Sequence, residues 1–490
     1  MTSSRSEEFD LGIVGAGPAG LSAAVTAADA GCRVVLLDSA ERIGGQYHRH
    51  PPASLAGDTR VGKVFGQLRA GFEAHVQAGR VDHRPGHAVW SLVREQQFVV
   101  NALQGERERA ARSVRVRSVL VATGAHDRQV PFPGWTLPGV VAVGGAQALY
   151  KGSRVAVGRR VVVAGTGPFL LPVAVGLLAA GVEVVAVVEA NDPRAYARAP
   201  RALVGALHKL PEAAGYALAL ARHRVPYLTR HAVVSAHGSR RLEGVTVSRV
   251  QGDWTPVAGT QRSLPCDALA VGYGFTAQLE LLLGLGCEAA PGGGGLAVAV
   301  DGKQRTTVEG VYAAGETTGI GGADLAAVEG ALAGAAAARA LGMTALPGPA
   351  AIRRLEARRR RLRRFAQVLH AVHPVRDGWT TWVDDSTLVC RCEEVTVGAL
   401  RQAVDEHGAV EARTVKLLAR PGMGWCQGRI CGTATATLTS CLSGRPTTTQ
   451  DAVGAATRTL AQPVPLGVLA SLYDEPARDG DVAHDREETP

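Results

Sequence analysis

The sequence predicts an α/β protein made of two parallel-sheet units, the first of them discontinuous, followed by a small C-terminal domain. Three observations predict it. A strand, glycine turn, helix and second strand at residues 10–46 recur as a pattern at 159–191. Four of the eight cysteines fall in two short clusters late in the chain. A chain of 490 residues also exceeds what one hydrophobic core fills.

Composition fits a well-buried globular protein, with 46% hydrophobic and 20% charged residues. The 60 glycines suit tight helix–strand packing and close backbone approach to ligands. Net charge is +9, but much of it is local: RRLEARRRRLRRF (353–365) holds eight arginines. Ile352, Leu355, Leu362, Phe365 and Leu369 share one helical face, so these arginines read as the solvated or partner-facing side of an amphipathic helix, and no nucleic-acid role is assigned. The polar start MTSSRSEEFD carries no targeting pattern. The uncharged run 161–182 contains Gly165, Gly167, Pro168 and Pro172 and reads as a buried strand, turn and helix, so no transmembrane segment is expected and the expected location is the cytoplasm. In that compartment, eight cysteines point to metal or redox chemistry.

The stretch DLGIVGAGPAGLSAAVTAADAGCRVVLLD has every part of a dinucleotide-binding Rossmann unit. Gly15 allows the tight turn, Gly17 lets the backbone reach a pyrophosphate, and Gly20 lets the helix, opened by Pro18, pack closely on the sheet. The helix N-terminus offers unpaired N–H groups to phosphate, and Asp38 at the end of the second strand is placed to accept from a ribose. Glycines alone do not choose between NAD and FAD. VLVATGAHDR (119–128) and GVYAAGETTGIGG (310–322) resemble the two-dinucleotide-binding-domain flavoproteins of the glutathione-reductase type. The resemblance implies FAD. It places Gly45, Gln46, Val89, Thr123, Gly124, Gly315 and Gly322 beside the cofactor and makes Glu316 the ribityl-binding acid, where the pattern has a shorter aspartate.

RRVVVAGTGPFLLPVAVGLLAAGVEVVAVVEAN repeats the unit with Gly165, Gly167 and Glu189. Leu170 stands at the third glycine position, where a bulky side chain pushes the helix off the sheet or shifts the turn. NAD(P) or another adenine nucleotide at this second fold is left open: Glu189 suits an unphosphorylated ribose, Arg194 and Arg198 a phosphate. No thiol pair follows RIGGQ; the chain reads YHRH there. Disulfide reductase chemistry is therefore disfavoured. His48, His50 and His126 receive no role, and no catalytic residue is assigned. Cys32, Cys266, Cys287 and Cys441 are read as small buried hydrophobes.

The remaining cysteines are spaced Cys390-x-Cys392-x33-Cys426-x4-Cys431. Zinc knuckles favour C-x2–4-C pairs, whereas four thiolates with this spacing suit a [2Fe–2S] cluster. Gly422, Gly424, Gly428 and Gly432 leave N–H groups for its sulfurs. The wording GMGxCQGRxC resembles the bacterioferritin-associated ferredoxin-like (BFD-like) domain. Taken in order, PFPGWTLPGVVAVGGAQALYK (131–151), the altered second fold, DDSTLVCRCEEV (384–395) and the quartet resemble the alpha-type FAD/[2Fe–2S] subunits of dye-linked amino-acid and opine dehydrogenases. That group includes the A-type subunit of opine oxidase, the alpha subunits of proline and hydroxyproline dehydrogenases, and a hydrogen cyanide synthase subunit.

The resemblance implies an electron-transferring subunit. A glycine-oxidase-like flavoprotein partner would oxidise the C–N bond of a small-molecule amine; a small ferredoxin-like subunit is a further candidate partner. Two other readings stay open: a self-sufficient NAD(P)H-dependent reductase, and a metal-stabilised assembly scaffold. The expected organisation is an FAD-binding domain at 9–155 and 270–345, a second nucleotide-type domain at 156–269, a linker with the basic helix at 346–385, the [2Fe–2S] domain at 386–450, and an extension with an acidic, disordered tail at 451–490.

Overall fold

A computed structural model describes residues 8–55, 62–105, 110–198, 209–292 and 294–470. The acidic tail expected at the C-terminus lies, beyond residue 470, outside the described residues.

The first sheet is built on Glu8–Val14, whose near-continuous apolar run suits a strand buried on both faces. It pairs in parallel with Val34–Leu37 on one side and with Ala110–Val121 on the other. Val81–Arg84 adds in parallel beyond Val34–Leu37. Ala110–Val121 is long enough to divide its far edge. Its first part pairs antiparallel with Phe98–Gln104, which pairs with His87–Arg94. Its end pairs in parallel with Val311–Ala313. The returning chain thereby brings the Gly315–Glu316 loop back to the first glycine turn.

Helix Ala323–Ala340 then packs on helix Pro18–Asp29 so closely that a Cβ on Gly330 would stand 2.0 Å from the Ala19 carbonyl oxygen. A glycine is required there by contact, not by helix propensity, which it lowers.

The second sheet is all parallel, in the order Tyr227–Thr229, Glu183–Glu189, Arg160–Gly165, Ala268–Gly272, Val140–Ala142. The expected boundaries at 155 and 270 therefore both fall inside this layer. Val140–Ala142 and helix Val143–Ser153 belong to it because Val140 registers against Leu269 and extends the buried sheet. A short antiparallel ribbon, Ala125–Asp127 with Phe275–Ala277, joins the two layers.

Helix Pro349–Val372 lies on helix Ala323–Ala340 through Ile352, Leu355 and Leu362, as the apolar spacing predicts. The chain then enters a compact C-terminal unit: a small hairpin, Leu388–Cys390 with Val395–Thr396, and helices Val397–Asp405, Ala412–Ala419, Gly432–Ser443 and Thr449–Ala456. This unit shares one core with the second sheet. Trp135, Trp254, Tyr273, Trp379 and Trp382 pack with Val389, Leu400 and Leu438. Trp135 Nε1 donates to the Leu388 carbonyl at 2.7 Å, and Trp382 Nε1 to the Trp254 carbonyl at 3.0 Å, so these two buried indoles are satisfied. Among the described residues no helix is long and apolar enough to cross a membrane.

Candidate cofactor sites

In the first unit, helix Pro18–Asp29 begins directly after Gly17, which leaves its first N–H groups at the glycine turn. The three glycines have separate physical roles. Gly15 has φ +106°, open to glycine but not to other residues. A Cβ on Gly20 would stand 1.8 Å from the Gly15 carbonyl oxygen. A Cβ on Gly17 would meet nothing nearer than the Gly45 Cα at 4.0 Å, so open space lies before it. Gly45 (φ +60°) seats its loop against Gly17, and Gln46 follows it.

Asp38 accepts from the backbone N–H groups of Ala16 and Ala40, and it keeps lone pairs in reserve. Burial pushes its carboxyl up, against the pull of those two amides. Gly124 and Gly322 have positive φ and open space where a side chain would be, and Thr123 Oγ1 donates to the Gln278 carbonyl. Val89 contributes no side chain to this surface. It is buried among Val14, Val35 and Leu37, and only its backbone, beside a register irregularity, is available.

Glu316 reaches further than the aspartate of the pattern it resembles. Its carboxylate accepts from the N–H groups of Gly322 (2.8 Å) and Gly321 (3.2 Å), where the next helix starts. Behind it, buried Glu329 holds the loop. It accepts from Gly315 N–H and Thr318 Oγ1 and pairs with Arg363 at 2.6 Å. Burial raises both acids, and Arg363 opposes that for Glu329. Sequence reasoning misses Glu329 and Arg363, since nothing local distinguishes this arginine from its seven neighbours.

The second unit is closed where the first is open. The turn runs on past Gly167, and the helix begins only at Leu170, whose side chain is buried. The register of the turn is thus shifted, as a leucine at the third glycine position requires. Glu189 is 0% exposed, and both its oxygens accept hydrogen bonds within the chain. Thr166 Oγ1 (2.7 Å), Gly167 N–H (2.8 Å) and Asn191 N–H (2.9 Å) donate to it, and His373 Nδ1 lies at 3.3 Å. Asn191 Nδ2 also donates to the Pro374 carbonyl. The acid expected to meet a ribose instead anchors the linker into the C-terminal unit. Arg194 lines a separate open cavity of about 450 Å³ with Arg230 and Arg249.

The four late cysteines meet in two pairs, each drawing one residue from each loop: Cys390 with Cys431, and Cys392 with Cys426. Contact with the Cys431 thiol, helped by N–H groups of Gly422, Glu393 and Cys392, holds Cys390 down to about 5 despite burial. The same contact raises Cys431. At Cys392 the Cys426 amide pulls down, but burial and the Cys426 thiol outweigh it, and the thiol is raised. Gly424 packs so tightly that a Cβ would stand 2.2 Å from Cys392 Cβ. Two thiol pairs with amides aimed at sulfur fit a dinuclear cluster. Cys32, Cys266 and Cys287 are buried elsewhere; Cys441 is exposed, unlike its expected place in a core.

The two sites are joined. His126, on the ribbon after Gly124, bonds the Arg429 carbonyl between Cys426 and Cys431 at 2.9 Å. The Arg429 side chain pairs with buried Glu280 at 2.8 Å and bonds the Ala461 carbonyl. His48 stacks on Phe65, and His50 bonds its own backbone two residues back, so these two are structural.

A glycine-turn flavin fold carrying a four-cysteine cluster unit defines an iron–sulfur flavoprotein oxidoreductase. Residues 9–340 match the pyridine nucleotide-disulphide oxidoreductase family, and the chain belongs to it. Residues 388–438 match the BFD-like [2Fe-2S] binding domain. The chain is 31% identical over 480 residues to the A-type subunit of opine oxidase from Rhizobium meliloti, covering 95% of this chain and 88% of that one. It is 34% identical over 429 residues to hydrogen cyanide synthase subunit HcnB of Pseudomonas aeruginosa, covering 86% and 90%. In fold it resembles the L-proline dehydrogenase of P. horikoshii, with a TM-score of 0.64 at 19% identity, covering 94% of this chain and 79% of that one. The chain is a flavin-dependent oxidoreductase whose cofactors are FAD and a [2Fe–2S] cluster.

Proposed function

We propose that this chain is the electron-transferring subunit of a complex that oxidises a C–N bond of an amino acid, imino acid or opine on a partner flavoprotein subunit. FAD exchanges two electrons and the cluster one, so together they convert hydride chemistry into single-electron flow. The residues we assign to FAD are Gly15, Gly17, Pro18, Gly20, Asp38, Gly45, Gln46, Thr123, Gly124, Gly315, Glu316 and Gly322, with Val89 through its backbone. Cys390, Cys392, Cys426 and Cys431 are assigned to the cluster. Within the chain, Asp38 and the Gly17 turn bind, Glu316 orders the start of the helix behind the flavin loop, and the amides around Cys390 stabilise its thiolate.

The observation that carries the reading is the junction of the two sites through His126 and Arg429, without a redox thiol after Gln46. Both subunit-type relatives support a multi-subunit assembly. The test is expression alone and with a glycine-oxidase-like flavoprotein. Alone, the chain should bind FAD and iron yet show no amino-acid or opine dehydrogenase activity with an artificial dye. Together, C–N oxidation should appear with a stable hetero-oligomer on size exclusion. Turnover of proline or an opine by the chain alone would place the substrate site here and refute the assignment.

A further inference from the structure

Helix Pro349–Val372 has two unlike populations of arginine. Arg359 and Arg363 turn inward. Arg359 donates to the Gly302 carbonyl and to Gln304, and Arg363 to the Gly319 carbonyl and Thr318 as well as pairing with Glu329. Further along, His370 bonds the Ile320 carbonyl. The inner edge of this helix is therefore the back wall of the 315–322 loop. The outer edge is different: Arg353, Arg354, Arg360, Arg361 and Arg364 are exposed, and none has an ion pair or hydrogen bond among the described residues. At 3.6 residues per turn they span an arc of about 120°, centred opposite the Leu355–Leu362 stripe, and run about 17 Å along the axis. Like charges at i,i+3 and i,i+4 spacing repel, each pair costing a few tenths of a kcal/mol. Glu356 is the helix's only acid.

We propose that this outer face is a docking surface for an acidic one-electron carrier protein; the inference rests on the electron-transfer reading above. Charge complementarity selects the occupant: guanidinium groups pair bidentately with carboxylates, and such patches steer encounter between redox partners. An anionic membrane fits less well. An interfacial helix inserts apolar side chains beside its cations, whereas here the apolar stripe is already buried on helix Ala323–Ala340, and the outer face offers only alanine, glutamine and arginine. A carrier seated there stands one helix diameter, about 10 Å, from the flavin loop.

The test uses the full FAD- and iron-loaded chain, an acidic [2Fe–2S] ferredoxin and a basic cytochrome c as probes, and the variant R354E/R360E/R361E/R364E, which leaves Arg359 and Arg363 intact. Binding is measured by titration at low and high salt, apart from any turnover, so failure of the relay reading does not decide it. Wild type should bind the ferredoxin at least tenfold more tightly at low than at high salt. The variant should lose that binding and its salt dependence while keeping FAD content, cluster EPR and Tm. The neutralising R354Q/R360Q/R361Q/R364Q variant should fall between. Equal ferredoxin binding by wild type and variant, preference of wild type for cytochrome c, or arginine-dependent binding to phosphatidylglycerol vesicles or duplex DNA in place of ferredoxin would each overturn the proposal. So would masking of the face by the chain's own acidic C-terminal segment, seen as ferredoxin binding that appears only after residues 471–490 are removed.

Discussion

The Nε2 of His126 lies 2.9 Å from the carbonyl oxygen of Arg429, which couples the strand after Gly124 to the loop between Cys426 and Cys431. A carbonyl only accepts, so Nε2 carries the proton, and Nδ1 is left buried without a partner. Burial, together with nearby Arg429 and Arg458, holds the imidazole below its ordinary value, while the Arg429 carbonyl and Glu280 oppose the shift. Between about pH 6.5 and the lowered folded value the unfolded chain binds more protons, so His126 makes stability fall as pH falls. His126→Gln keeps an N–H donor and does not titrate. Its Tm should lose less than wild type's between pH 7 and pH 5. His126→Ala should cost about 1 kcal/mol at neutral pH. Parallel Tm–pH curves for wild type and the glutamine variant would remove His126 as the acid-sensitive link.

Gly17 and Gly20 should fail differently. Gly17→Ala adds a Cβ into open space, so the protein should fold with near-normal Tm and lose most of its FAD affinity. Gly20→Ala drives the same atom into the Gly15 carbonyl and should yield little folded protein. If Gly17→Val still carries stoichiometric yellow flavin, the pyrophosphate does not lie where we place it.

Alanine at Cys390, Cys392, Cys426 or Cys431 should abolish the reduced-state EPR signal and leave FAD bound. Alanine at Cys32, Cys266, Cys287 or Cys441 should leave the signal intact. Stoichiometric zinc without iron or labile sulfide in anaerobically prepared protein would sink the cluster assignment.

Local chemistry was legible in the sequence because it acts over a few residues. Gly15, Gly17 and Gly20 announce their turn by spacing, the cysteines by pairing, and helix Pro349–Val372 by its apolar stripe. What stayed hidden depends on residues far apart in the chain. His373 reaches Glu189 across 184 positions, and His126 reaches Arg429 across 303. Val140–Ala142 reads like any short apolar strand, and only its register on Leu269 assigns it to the second sheet. Arg363 is one of eight alike until tertiary packing turns it onto Glu329.

That last pair makes a stability prediction. Arg363→Ala leaves Glu329, 1% exposed, without its counter-charge and should cost about 3 kcal/mol or be met by protonation of the acid. Arg363→Ala/Glu329→Gln should recover much of the loss. Urea unfolding of the two variants checks this, and equal stability of Arg363→Ala and wild type would mean the pair contributes nothing.

The contrast between Asp38 and Glu189 yields the final prediction, about which nucleotide fold works. Both acids end the second strand of a glycine-turn unit. Asp38 is engaged by two backbone amides and has lone pairs left for a ribose. Thr166, Gly167 and Asn191 donate to Glu189 and His373 lies beside it, so a ribose hydroxyl could reach this carboxylate only by breaking into that network at a site with no solvent exposure. Breaking a buried, charge-assisted hydrogen bond costs about 1.5–3 kcal/mol, which alone weakens nucleotide binding roughly ten- to hundredfold. Anaerobic NADH or NADPH titration should therefore leave the 450 nm region of wild-type FAD unbleached on the timescale of minutes. Glu189→Gln should not create such a response, because the amide still fills the same space; it should lower Tm by loosening the His373–Pro374 anchor. Rapid stoichiometric bleaching of wild type by NADH would mean that the second fold opens in solution, and would restore the self-sufficient reductase as the better account.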